Sequence, residues 1–108
     1  MTAAPPGGFD LPDAARPAWR AYGDMLASKD AHFGCMFELN RKYERGGRHT
    51  LAEIARLQQL LAEHDRCVAA FAQAMRELGA SNRAAHAALV MALAALNEDV
   101  GGPRGAPN

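Results

Sequence analysis

The sequence predicts an all-α chain: an antiparallel three-helix bundle built on a long helical hairpin, with coiled-coil-like packing. Three observations carry this. First, residues 49–79 place apolar side chains at seven-residue spacing, with Ile54, Leu61, Val68 and Met75 at one heptad position and Leu57, Phe71 and Leu78 at the other. Second, glycine and proline stop signals, Gly46-Gly47 and Gly101-Gly102-Pro103, close two of the periodic segments. Third, the second and third segments are separated by a residue or two, so the helices they form are expected to be antiparallel neighbours.

The first helix is expected over about 13–45. Proline is tolerated in a first turn, which sets a start between Asp13 and Pro17, and Gly46 sets the end. At 100° per residue Trp19, Tyr22, Met25, Leu26, Phe33, Met36, Phe37 and Tyr43 share one broad face. Gly23, Ala27, Ala31 and Gly34 form a second, narrow stripe, which reads either as a line of close helix approach or as plain surface. A break around residues 28–30 would make the bundle four helices.

The second helix is expected over about 50–79. Thr50 and Glu53 fit a capping box, and Gly79 is placed for a C-terminal cap. His64 interrupts its core row. The third helix, capped by Ser81, is expected over about 82–100, with Leu89, Leu93 and Leu96 on one stripe. The first two helices are then roughly 45 Å long and the third about 27 Å. A short third helix leaves the hairpin-tip half without a third wall. Its apolar residues, Phe33, Met36, Phe37, Leu39, Tyr43, Leu51, Ile54, Leu57, Leu60 and Leu61, are the expected interface with a second copy of the chain or with another protein.

Composition narrows the classes. At 108 residues the chain makes one domain, residues 13–100, between Pro/Gly-rich tails at 1–12 and 101–108 expected to be disordered. Net formal charge is zero, against a simple polyanion binder. No apolar run approaches a membrane span and no secretory leader is evident, so the expected setting is cytoplasmic, with Cys35 and Cys67 as reduced thiols. Abundant Ala and Arg read as the codon bias of a GC-rich bacterial or phage genome.

Candidate sites are few. The turn at 46–48 pairs the first two helices so that facing positions sum to about 94. Lys29 then lies level with His64 and Asp65, and Asn97 is expected at that height from the third helix. The reading is a buried polar layer of Lys29, His64, Asp65 and Asn97 that fixes register. A metal site from His32, His64 and Asp30 or Asp65 lacks any two-ligand helical spacing and is not expected, and no cofactor is implied. Cys35 and Cys67 fall too far apart along the axis for a bridge. No nucleophile–base set, P-loop or dinucleotide fingerprint is present, so no enzyme is expected. Arg41, Lys42, Arg45 and Arg48 cluster at the hairpin turn beside a helix N-terminus, where an anion or nucleic acid would find free N–H groups. The expected function is a non-enzymatic interaction module, as adaptor, regulator, inhibitor or chaperone-like protein, acting as a homodimer. The alternative is a nucleic-acid-associated regulator using the basic turn.

Overall fold

A computed structural model describes residues 10–101, without the side chains of 98–101; residues 1–9 and 102–108, which hold most of the expected tails, lie outside it. Among the described residues the chain is all-helical, with three helices packed against each other and no strand. Asp13–Ala15 form a single 3-10 turn, followed by α1 (Arg16–Glu44), α2 (Leu51–Ser81) and α3 (Arg83–Gly101). The helix α1 runs unbroken through 28–30, so the four-helix option falls away. The described residues divide into two compact units, one of residues 10–20 with 74–101 and one of residues 21–73.

The first unit closes a small core. Ala15, Ala18, Leu78, Ala85 and Leu89 are buried, with Leu11, Trp19, Ala74, Met75 and Leu93 packed on them. Small residues let the three segments approach closely, and Leu89 is fully buried among them. Two sequence expectations need correction here. The helix α2 does not stop at Gly79, which keeps helical backbone and packs under the His86 ring, where a Cβ would lie 3.4 Å from Cδ2. The cap of α3 is Asn82, whose Oδ1 accepts from the Ala85 N–H at 3.0 Å, while the Ser81 hydroxyl is turned back onto the Glu77 carbonyl. An amide oxygen is a strong N-cap acceptor, and Asn82 is the one residue between the helices.

The second unit is the hairpin. Its turn is built from complementary caps. The Gly47 N–H donates to Lys42 O and the Gly46 N–H to Tyr43 O, each at 2.9 Å, which is a Schellman closure of α1 with Gly46 at φ 88°. Gly47 is required for a different reason: a Cβ there would stand 2.8 Å from the Lys42 side chain. The start of α2 is the expected capping box, with Thr50 N–H to Glu53 Oε1 at 2.8 Å and Glu53 N–H to Thr50 Oγ1 at 3.0 Å. Register follows from three contacts: Lys42 meets Glu53, Ser28 meets His64 and Tyr22 meets Phe71. Each pair lies within two of the facing total of about 94.

Candidate functional site: an uncovered apolar face on the hairpin

In the second unit each helix carries two parallel rows. On α1, Ser28, His32, Cys35, Leu39 and Lys42 alternate at four- and three-residue spacing and are buried or half-buried. On α2 the matching row is Glu53, Leu57, Leu60, His64, Cys67 and Phe71, all half-buried. These are the seams by which the two segments meet, as the contacts above show. One residue further along lies a second row on each helix: Lys29, Phe33, Met36, Asn40 and Tyr43 on α1, and Ile54, Gln58, Leu61, Asp65 and Val68 on α2. Every one of these ten is exposed. Contacts descend along α2 as they rise along α1, so the same one-residue step turns both second rows to the same side of the pair.

That side is apolar well beyond an ordinary surface. Ile54, Leu61 and Val68 sit at a heptad core position yet are 39, 44 and 41 % exposed; Phe33 is 55 % and Leu51 86 % exposed. Of the ten residues expected at an interface, Phe33, Met36, Phe37, Tyr43, Leu51, Ile54 and Leu61 are exposed, Leu57 and Leu60 are half-buried in the seam, and Leu39 is buried. Leu39 was misassigned because α1 is apolar around more than one face, and only the α2 register shows which face it takes. Val68 belongs to the exposed row and was left out of the expected set. Its seven-residue spacing from Leu61 is the signal that identifies it.

The opposite side differs in chemistry. Asp30, Ala31, Gly34, Cys35, Glu38, Leu39, Glu53, Arg56 and Leu60 line one shallow groove, and Asp24, Ala27, Ser28, Glu63 and Cys67 another. The small-residue stripe borders these grooves, and nothing in the chain lies within 4 Å of a Cβ built at Gly23 or Gly34. The close-approach reading of that stripe is not realised among the described residues.

The expected buried polar layer takes another form. Lys29 and Asp65 are exposed, and Asn97 is exposed in the other unit. The polar contact at that level of the hairpin seam is His64 with Ser28: Nδ1 and Oγ stand 2.9 Å apart, and the Ser28 hydroxyl donates to Met25 O at 2.8 Å. With its hydrogen so used, Ser28 accepts from Nδ1–H of His64. A hydroxyl fits within the seam, whereas Lys and Asp on the neighbouring row reach water.

The basic turn is largely engaged. Lys42 donates to both Glu53 oxygens, at 2.9 and 3.0 Å, and the Arg41 guanidinium lies 5.9 Å over the Phe37 ring. Arg45 and Arg48 are exposed. The Thr50 backbone N–H first, and then Lys42, hold the Glu53 carboxyl below its usual range. His49 is exposed, and its Nε2 stands 3.1 Å from the Leu39 carbonyl, which can only accept. Cys35 and Cys67 are free and half-buried. Among the described residues no group of three or more His, Cys, Asp or Glu side chains is placed to hold a metal ion, and no helix is long and apolar enough to cross a membrane. No protein-family model, curated protein or solved structure matches the chain.

Proposed function

We propose that this chain is a non-enzymatic protein–protein interaction module of the adaptor, regulator, inhibitor or chaperone-like kind, acting through the apolar side of the hairpin. The carrying observation is the pair of exposed second rows. A heptad row of Ile, Leu and Val left open to water on a helix that has already used its neighbouring row is the pattern of a coiled-coil seam without its partner. We read the helices as an antiparallel bundle with coiled-coil-like packing, supported by the heptad spacing and the order of contacts along the hairpin. We read the setting as cytoplasmic, supported by two free thiols.

A second copy of the chain is the first candidate for the partner. With about 200 Å² per large apolar side chain, the exposures of Phe33, Met36, Tyr43, Leu51, Ile54, Leu61 and Val68 leave roughly 740 Å² per copy, close to the ~800 Å² per partner of a standard interface. The nucleic-acid alternative draws less support, because Lys42 is held by Glu53 and Arg41 stacks on Phe37. Sedimentation equilibrium across the micromolar range tests the reading, with a monomer–dimer transition expected. A monomer at high micromolar concentration, with no protein captured from the native host, would falsify it. An electrophoretic shift abolished by replacing Arg41, Lys42, Arg45 and Arg48 with Ala would favour the alternative.

A further inference from the structure

The exposed rows also carry charge, and its placement selects one arrangement of two copies. Each second row holds one ionic residue, Lys29 on α1 and Asp65 on α2, and the facing total of about 94 puts them at one level of the hairpin. Neither makes an ion pair within the described residues. A second copy can lie on this side in two ways that keep neighbouring helices antiparallel. In one, the hairpin tips point to opposite ends and α1 covers α1. Centred on Met36, this sets Asp65 against the apolar Leu51, and Lys29 beside Tyr43 and Glu44. In the other, the tips share an end and α1 covers the opposing α2. Every level then meets its own kind: Phe33 over Leu61, Tyr43 over Leu51, Lys29 over Asp65. Burying a carboxylate against leucine is costly, whereas a facing ammonium offsets that desolvation.

Resting on the homodimer reading above, we propose that two copies of this chain pack their hairpins with the tips at one end, Lys29 of each copy pairing with Asp65 of the partner subunit. The two copies of this pair form one charged layer across a four-helix apolar core. That layer discriminates register, since a shift by one helical turn parts both pairs and moves them onto apolar neighbours.

Mixing of charge-reversed chains tests this. K29E and D65K each set like charges opposite each other twice per dimer, and each is expected to weaken self-association about tenfold at low salt. Both positions are exposed, so helicity by circular dichroism should stay at the wild-type level. Mixed in equal amounts, K29E and D65K chains recover opposite charges at both pairs and should form a heterodimer near wild-type affinity. A mixture of K29E and E44K has the same net charges and should not recover. Rescue in that second mixture and not the first overturns the shared-end arrangement, as does a wild-type dimer indifferent to both reversals. A wild-type chain that stays monomeric overturns the homodimer reading itself.

Discussion

At the residue scale the informative position is His64. Its seven-residue phase asks for an apolar side chain, and the structure supplies Ser28 as its partner inside the seam. Ser28 is 8 % exposed, so removing its hydroxyl leaves the imidazole N–H facing apolar neighbours. Ser28→Ala should cost about 1–2 kcal/mol in urea unfolding, while His64→Leu should be at least as stable as wild type. Glu53 makes a second residue-scale prediction. Its carboxyl is held below the ordinary value of 4.5, so the stability it contributes is complete above that value and is lost as pH falls through the lowered folded-state pKa. Glu53→Gln should therefore flatten the acid limb of thermal stability against pH and leave the slope near neutrality unchanged. The capping box was legible from Thr50 and Glu53 alone, because it is local. The Ser28–His64 pair was not, because serine in a helix carries no signature of what lies across the seam. Register analysis named the level and missed the residue by one.

At the element scale, one end of the hairpin turn is legible from Gly46 and the other from the Thr50–Glu53 capping box; the positive φ explains Gly46 and the Lys42 stem explains Gly47. Gly46→Ala forces a Cβ residue to positive φ and should cost roughly 1 kcal/mol; Gly47→Ala must displace the Lys42 stem, and with it the Lys42–Glu53 pair. Thr50→Ala should cost about 1 kcal/mol through loss of the cap. All three can be followed by thermal denaturation. The end of α2 was misread from Gly79, since glycine marks a helix stop and a close approach with the same letter. In the structure it serves the His86 ring. The long α1 shows a further limit of periodicity. Its apolar residues cover so wide an arc that Leu39 and Phe37 look equivalent in sequence, yet one is buried and the other open.

At the scale of the whole molecule, the proposed dimer would make stability depend on concentration. If two copies cover these rows, the folded state is stabilised by association, and the melting temperature should climb as protein concentration rises. Leu61→Glu places a charge in the centre of the apolar side without touching the seam. It should abolish that dependence and keep the helical content. The core of the first unit makes a contrasting prediction: Leu89→Ala removes its fully buried leucine and should cost about 2–5 kcal/mol at any concentration. Ile54 and Leu61, which the heptad spacing places at a core position, are exposed in the structure. Which residues form the apolar side was legible only in part, since exposure depends on how α1 turns about its own axis.

The single residue between α2 and α3 has one more consequence. Leu78, Ala85 and Ala92 lie on either side of Asn82 and are all buried, so this joint fixes which face of α3 turns inward. The joint is tight: Asn82 N–H reaches Leu78 O at the end of α2, and His86 N–H reaches Asn82 O at the start of α3. Such a joint has no slack. Adding or deleting one residue there would turn every α3 side chain by about 100° and swing Leu89 out of the core. Length changes should be fatal at Asn82 and well tolerated at Arg48, a loop residue open to solvent, which makes the chain's indel tolerance a map of where its phase is kept.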